Sequence, residues 1–249
     1  MTTKDEKGSG PKGSGPKEFG PDAPPSRTYA WTRLLVRFMM PLLGGVTVRG
    51  AENIPLTGPV LLAPNHRAYV DPPYLSMITR RQLHLMAKAE LFHIPVLGRW
   101  ITGLGAFPVK RGAADRGAIR LAVAALKAGQ VVGIFPEGTR ADPGTLLPAE
   151  KGFALIARQT GVPIVPVALE GTDRVHPKHA KLFHRAHVTA TLGKPMTAQE
   201  MLAANPDPDK DALQIICDAT MQAIAALMTE PVTILEAAEK SEAPAEKDD

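Results

Sequence analysis

Cysteine and aromatic residues are scarce in this sequence. Cys217 is the one cysteine among 249 residues, so the chain cannot form an internal disulfide. It lies in a segment with helical periodicity, which predicts a small core residue rather than a nucleophile. Scarce cysteine is typical of an intracellular protein. Aromatic residues make up 5% of the chain, with neither a stacking motif nor a helix-turn-helix pattern, so we expect no nucleic-acid binding despite a net charge of +4.

Long apolar runs are missing as well. No run approaches the ~20 residues that a membrane-spanning helix needs, so we expect no transmembrane anchor. The first residues are polar and rich in glycine, unlike the apolar stretch of a secretory signal.

The sequence also lacks patterns for a serine nucleophile or a metal site. The motif G-x-S-x-G, typical of a nucleophile elbow, does not occur. Four histidines lie close together in HPKHAKLFHRAH, residues 176–187, and their spacing alone could indicate zinc. Lysine and arginine residues alternate with them, which favours a basic surface loop near lipid headgroups. We therefore expect no metal.

Both ends of the chain are poor in apolar residues. Residues 1–28 contain the repeat GSGPK, and residues 236–249 are acidic with no large apolar side chain, so we predict two disordered tails. The tails carry +1 and −4 of the net charge of +4, which leaves +7 on residues 29–235. A basic folded region suits a phosphate-bearing substrate or an anionic membrane surface.

Residues 29–45 form an amphipathic segment. Apolar residues recur every four positions from Ala30 to Leu42, with Trp31 beside them, while Arg33 and Arg37 share another face. No acidic residue interrupts. This pattern predicts a helix that lies on a membrane surface, and the alternative is a helix packed on the protein's own core.

Short apolar runs then alternate with helical patterns. This alternation predicts one α/β domain over residues 46–235, with a mostly parallel sheet flanked by helices. Active sites in such sheets lie beyond the carboxyl ends of the strands. The predicted strands are Val46–Val48, Val60–Pro64, Leu83–Ala87, Ala106–Val109, Val131–Phe135, Ile164–Leu169 and Val188–Leu192, and the predicted helices are Pro72–Thr79, Ala114–Ala128, Lys151–Thr160 and Asp209–Met228.

Three motifs follow predicted strands. In NHRAYVD, residues 65–71, His66 and Asp71 are five positions apart, about 140° on a helix, so they can meet only across a turn. Asp71 precedes two prolines and is expected to cap the next helix while accepting the Nδ1 proton of His66. The imidazole could then act as a general base. The alternative is a simple cap beside a turn residue.

The other two motifs present polar side chains in glycine-containing turns. Lys110 and Arg111 end the strand of GAFPVKRG and could hold a phosphate, or form a solvated basic turn. In FPEGTR, Glu137 could bind hydroxyl groups of a polyol, with Thr139 and Arg140 in support. The alternative for FPEGTR is a polar turn with a local ion pair.

Together these motifs resemble the four sequence blocks of the glycerophospholipid acyltransferases. NHRAYVD, FPVKR, FPEGTR and VPIVPVAL (residues 162–169) occur in the family's order, and the similarity runs from about Arg49 to about Pro195. The most similar subgroup is the 1-acylglycerol-3-phosphate (lysophosphatidic acid) acyltransferases. Ala141 departs from the pattern, because a serine often follows EGTR.

The resemblance implies a fold like that of glycerol-3-phosphate acyltransferase, with the acyltransferase domain over residues 46–235. It implies that His66 and Asp71 form a catalytic dyad. The residues implied to bind the acceptor are Lys110, Arg111, Glu137, Gly138, Thr139 and Arg140. Pro166 matches a proline of the fourth block, for which the resemblance implies a structural role or, as the alternative, a role near the acyl donor.

The implied reaction moves a fatty acyl chain from acyl-CoA or acyl-ACP to the sn-2 hydroxyl of 1-acylglycerol-3-phosphate, giving phosphatidic acid. A thioester is already activated, so no cofactor is expected. The expected location is peripheral, on the cytoplasmic face of the cell membrane. Two alternatives stay open: the same chemistry on glycerol 3-phosphate, another lysophospholipid or a glycolipid, and a non-catalytic lipid-binding protein.

Overall fold

A computed structural model describes residues 26–109, 115–178, 180, 182–207 and 209–236. A seven-stranded sheet forms its centre, in the order β1-β8-β7-β2-β5-β3-β4, and the pair β7 and β8 is antiparallel while the others are parallel. These strands are β1 (Val46–Arg49), β2 (Val60–Pro64), β3 (Leu83–Lys88), β4 (Phe107–Val109), β5 (Val131–Gly133), β7 (Ile164–Glu170) and β8 (Val188–Leu192). The predicted α/β architecture is confirmed.

Helices and one small strand pair surround the sheet. The helices are α1 (Arg27–Leu42), α2 (Asp71–Met77), α3 (Pro95–Gly103), α4 (Arg116–Lys127), α5 (Lys151–Thr160), α6 (Thr172–Val175), α7 (Ala198–Ala204) and α8 (Ala212–Ala225). Two 3-10 turns, Ala51–Asn53 and Ala89–His93, precede β2 and α3. The paired short strands are β6 (Thr145–Leu146) and β9 (Thr233–Ile234). None of the helices in the described ranges is long and apolar enough to cross a membrane.

The central strands are buried on both faces. Along β2, Leu61 and Ala63 pack into one apolar cluster, with α4, α5 and α8, while Val60 and Leu62 pack into a second cluster on the other face. Because the side chains on both faces of β2 are buried, its sequence is a continuous apolar run rather than an alternation of apolar and polar residues. Cys217 lies buried in the first cluster, and burial raises its thiol pKa to about 12, as expected of a core residue.

Helix α1 begins two residues before the segment predicted at residue 29. The Ser26 hydroxyl accepts a hydrogen bond from the Tyr29 N–H and so caps the first turn. The helix ends at Leu42, before Gly44 and Gly45, which both have positive φ. Residues 1–25 and 237–249 lie outside the described residues, so the two predicted tails stay predictions.

Candidate active site

The first motif follows β2 directly and is tied to the neighbouring strand β7. The fully buried Asn65 side chain donates from Nδ2 to the Leu169 carbonyl at 3.1 Å and accepts from the Leu169 N–H at 2.6 Å. A side-chain amide thus replaces a backbone pair at the point where the strand ends. The loop that carries His66 therefore starts from a fixed position.

The structure brings His66 and Asp71 together across this loop. His66 Nδ1 lies 2.7 Å from Asp71 Oδ2, and the aspartate is fully buried. Oδ2 also accepts the N–H groups of Arg67 at 2.7 Å and Ala68 at 2.8 Å. Because a carboxylate only accepts, this contact assigns the proton to Nδ1 and leaves Nε2 as the acceptor nitrogen.

The predicted helix cap at Asp71 is wrong. Helix α2 begins at Asp71 itself, Val70 is the capping residue, and no side chain bonds the first helical amides. The Asp71 carboxylate points back to the loop amides of Arg67 and Ala68 instead. The aspartate therefore closes the turn before the helix, which is the arrangement that holds the imidazole.

The ring of His66 is also fixed by packing. It stacks on Phe135 with ring centroids 4.1 Å apart and an angle of 25° between the planes. Phe135 follows β5, the strand beside β2, so the second strand supplies one wall of the site. His66 is 9% exposed, which leaves little water around it.

Glu137 lies beneath the site rather than on its surface. Its side chain is fully buried, with Oε1 accepting from the His66 N–H at 2.7 Å and Oε2 accepting from the Leu147 N–H at 2.8 Å. Burial raises the pKa of this carboxyl group to about 8, against the lowering effect of the two backbone hydrogen bonds. This placement differs from the predicted contact with substrate hydroxyls, since both oxygens already accept backbone N–H groups. The geometry favours a role in positioning His66.

The remaining residues of the third motif lie nearer the surface. Gly138 has a φ of 71°, and a Cβ there would come within 3.0 Å of Glu150 Cγ. The Arg140 guanidinium lies 3.4 Å from the centroid of the Tyr69 ring, a cation–π contact between the first and third motifs. The buried Ala141 donates its N–H to the His66 carbonyl at 2.8 Å.

Lys110 and Arg111, predicted to hold the acceptor's phosphate, lie outside the described residues. The structure shows two residues at the site that the sequence analysis did not single out. Arg67 is buried beside the dyad, and the exposed Tyr69 lies between Arg140 and the His176 ring, whose centroid is 6.0 Å away. Both residues lie within the motif NHRAYVD, and this was the one feature of the sequence that could have indicated their place at the site.

The histidine-rich segment contributes aromatic and hydrogen-bonding contacts. His176 packs against Phe183, with centroids 5.1 Å apart, and His187 contacts Thr47 and the Gly44 carbonyl. His179 lies outside the described residues. Among the residues that the structure describes, no three His, Cys, Asp or Glu side chains are grouped so that they could hold a metal ion.

The chain is similar in sequence to known acyltransferases. Residues 45–170 match the acyltransferase family profile. The 1-acyl-sn-glycerol-3-phosphate acyltransferase of Bacillus subtilis is 31% identical over 197 residues, 79% of this chain and 94% of that protein. A chloroplastic 1-acyl-sn-glycerol-3-phosphate acyltransferase of Brassica napus is also 31% identical, over 60% of this chain and 44% of the longer plant protein.

The solved structures include a similar fold. The crystal structure of the 1-acyl-sn-glycerophosphate (LPA) acyltransferase from Thermotoga maritima superposes with a TM-score of 0.64 at 25% identity, covering 81% of each chain. The residues that match the family profile include the His66 loop, the FPEGTR turn and the strands that position them. This chain belongs to the acyltransferase family.

Proposed function

We propose that this protein acylates the sn-2 hydroxyl of 1-acylglycerol-3-phosphate, using acyl-CoA or acyl-ACP as donor and producing phosphatidic acid. Its relatives from Bacillus subtilis and Thermotoga maritima, which are 1-acyl-sn-glycerol-3-phosphate acyltransferases, support this acceptor. The observation that carries the proposal is the 2.7 Å contact between His66 Nδ1 and the fully buried Asp71. A lipid-binding protein without activity has no need of an imidazole oriented by a buried carboxylate.

In the proposed mechanism, His66 Nε2 takes the proton of the sn-2 hydroxyl as the oxygen attacks the thioester carbonyl. Asp71 stabilises the imidazolium that forms. When the tetrahedral intermediate collapses, the carbon–sulfur bond breaks and His66 returns the proton to the leaving thiolate. The thioester supplies the activated acyl group, so the proposal requires neither a metal nor a further cofactor.

Acceptor binding is assigned to the open side of the site. Gly138 is exposed and Thr139 and Arg140 are half-buried, so these residues lie where an acceptor could reach them. Lys110 and Arg111 are proposed to contribute positive charge. The buried Glu137 supports the dyad from below through the His66 N–H.

The proposed location of the protein is the cytoplasmic face of the membrane, with α1 on the lipid surface. Its outward residues are large and apolar: Trp31 is 71% exposed, Phe38 69% and Leu42 67%. Arg37 is exposed on the same helix, which contains no acidic residue. Such a helix fits an anionic lipid interface, where the acceptor and the product of the proposed reaction are also located.

The test combines an acceptor panel with one active-site variant. Purified protein is assayed with oleoyl-CoA and oleoyl-ACP against lysophosphatidic acid, glycerol 3-phosphate and monoacylglycerol. We expect transfer to lysophosphatidic acid, and we expect His66→Ala to lower it by about 10²- to 10⁴-fold while vesicle binding is retained.

His187→Ala is the matched control, because His187 is an exposed histidine whose ring contacts Thr47 and the Gly44 carbonyl. It should keep full activity. Failure of the wild-type protein to acylate any glycerophosphate would exclude the proposed function, and unchanged turnover in His66→Ala would exclude the assigned base.

A further inference from the structure

Arg67 is a buried cation whose hydrogen bonds are incomplete. The residue is 5% exposed, and its Nε and Nη2 atoms are buried with no hydrogen-bond partner in the described part of the chain. Leaving a buried charged group unsatisfied is strongly unfavourable. A position like this is expected where a ligand completes the hydrogen bonding.

Asp71 and Glu137 are the carboxylates near Arg67, and the Asp71 Oδ1 atom is buried with no hydrogen-bond partner among the described residues. Asp71 Oδ2 already accepts from the His66 ring and from two loop amides. Glu137 accepts from two backbone N–H groups, and burial raises its pKa to about 8 although the nearby charge of Arg67 lowers it. Within the described ranges, no carboxylate forms an ion pair with Arg67.

The two unsatisfied nitrogens form one edge of the guanidinium group. This edge presents two parallel N–H groups, the geometry that binds two oxygens of a phosphate. Arg81 shows the contrasting case in the same protein, because its Nη1 and Nη2 donate to the carbonyls of Pro55 and Gly129. Arg81 has a structural role, whereas Arg67 retains unused donors.

Arg67 also has the right position along the chain. It directly follows His66, and its N–H is held 2.7 Å from Asp71 Oδ2, so its backbone belongs to the turn that orients the dyad. In a glycerol 3-phosphate ester the phosphate is separated from the sn-2 hydroxyl by two carbons and the ester oxygen. A base on the hydroxyl and a cation on the phosphate must therefore be close neighbours.

From these observations we infer that Arg67 binds the phosphate monoester of the acceptor through Nε and Nη2 and so selects phosphorylated acceptors. This inference rests on the proposed function and adds Arg67 to the residues that distinguish lysophosphatidic acid from monoacylglycerol. Because the binding edge is buried, side chains above it must move when the phosphate enters, a change that is common on ligand binding.

The test compares Arg67→Gln and Arg67→Lys with wild-type protein. We expect Arg67→Gln to lower kcat/KM for lysophosphatidic acid by about 10- to 100-fold, mainly through KM, because a charge-assisted pair is lost. The loss on monoacylglycerol should be clearly smaller, because this acceptor has no phosphate to bind. Arg67→Lys keeps the charge without the planar edge and should give an intermediate loss.

Inorganic phosphate distinguishes binding of the anion from binding of the lipid. It should inhibit the wild-type protein competitively against lysophosphatidic acid, with an inhibition constant at least about tenfold higher in both Arg67 variants. Arg81→Gln is the matched control, since it removes a structural arginine from the other end of the strands and should change Tm without changing phosphate inhibition.

Two outcomes would overturn the inference. One is unchanged phosphate inhibition in Arg67→Lys, which is the variant to use if Arg67→Gln does not fold. The other is an equal loss on lysophosphatidic acid and monoacylglycerol, which would indicate a structural role. Either result leaves the proposed function standing if the wild-type protein acylates lysophosphatidic acid, whereas absence of that activity defeats the proposed function itself.

Discussion

His66 is held by its backbone as well as by its ring. Glu137 accepts the His66 N–H, the Ala141 N–H donates to the His66 carbonyl, and Asp71 fixes Nδ1. Glu137 and Ala141 belong to the turn after β5. The turn that begins with FPEGTR therefore positions His66, the proposed general base, in the neighbouring loop. A displacement of this turn would move the imidazole, and geometric errors of about 1 Å can cost about 10²-fold in rate.

The buried Glu137 carboxyl group should make stability depend on pH. Its pKa rises from 4.5 to about 8 on folding. Between these values the folded state holds a proton that the unfolded state releases, so the free energy of unfolding falls as pH rises through this window. Since one pKa unit corresponds to about 1.4 kcal/mol, the contribution amounts to a few kcal/mol at most.

Glu137→Gln removes this titration and therefore tests it. The amide nitrogen must face one of the two backbone N–H donors, so at pH 5 the variant should be less stable than wild type by about 1–3 kcal/mol. The difference should shrink as pH approaches 8. Urea unfolding from pH 5 to pH 9 measures both curves, with the exposed Glu200→Gln as control, because the Glu200 pKa is lowered and lies below this window. Parallel curves for Glu137→Gln and wild type would contradict the assigned pKa shift.

Residue-scale prediction from the sequence worked best where spacing constrained geometry. His66 and Asp71 could meet only across a turn, and the structure places them at 2.7 Å. The burial of Glu137 was not predictable, because it depends on Leu147 and on the covering of β5 by other elements. The unsatisfied Arg67 guanidinium likewise results from tertiary packing, and an arginine in a sequence motif does not by itself indicate whether the side chain is buried.

At the scale of elements, Asn65 joins two neighbouring strands at their carboxyl ends. Its amide makes both hydrogen bonds to the Leu169 backbone and has no solvent exposure. Replacing it with alanine leaves a buried N–H and a buried carbonyl without partners. We expect Asn65→Ala to lower the free energy of unfolding by about 2–4 kcal/mol and to reduce activity, since the His66 loop starts at this residue.

Asn53→Ala provides the comparison for this prediction. Asn53 makes a single side-chain bond, from Nδ2 to the Leu192 carbonyl, and is half-buried away from the site. Its loss should cost about 1 kcal/mol and leave kcat unchanged. Denaturant unfolding and acyl-transfer assays of the two variants check both statements. Equal stability losses in the two variants would argue against a special role for the Asn65 bridge.

Elements that are long or continuously apolar could be predicted from the sequence, and short ones could not. β2 and α5 were predicted with their observed bounds, because one is an apolar run and the other has a clear helical period. β6 has two residues and pairs with β9 across a long stretch of chain, so no local pattern indicates it. Helix α3 was missed because Gly98 and Gly103 weaken its local signal; their lack of side chains lets α3 approach Phe92 and Thr28.

At the scale of the whole molecule, α1 and α3 together form an apolar surface. Trp31 and Phe38 on α1, and Val96 and Trp100 on α3, are 71%, 69%, 83% and 44% exposed. The two helices are joined, because Trp100 Nε1 donates to Thr32 Oγ1 at 2.9 Å and the Ser26 hydroxyl donates to the Gly103 carbonyl. Neither helix contains an acidic residue. The membrane contact proposed for α1 should therefore extend to α3.

Substitutions on both helices test this extended contact. Each large apolar side chain that enters the lipid interface contributes about 1.5–3 kcal/mol, so Phe38→Ala and Trp100→Ala should each weaken binding to anionic vesicles by about tenfold or more. Added salt should weaken vesicle binding of the wild-type protein, because Arg37 and Arg99 contribute electrostatic attraction to anionic lipids. Vesicle co-sedimentation at two salt concentrations measures both effects.

The outcome separates the two helices as contributors. Ile234→Ala removes an exposed apolar residue on β9 and should leave vesicle binding unchanged. If Phe38→Ala weakens binding and Trp100→Ala does not, α1 alone meets the lipid and the extension to α3 is wrong. If neither variant weakens binding, the exposed apolar residues do not contact lipid, and the proposed peripheral location is wrong. Activity on a short-chain acceptor below its micellar concentration should survive in both variants, because α1 and α3 supply the surface and the loops after β2 and β5 supply the chemistry.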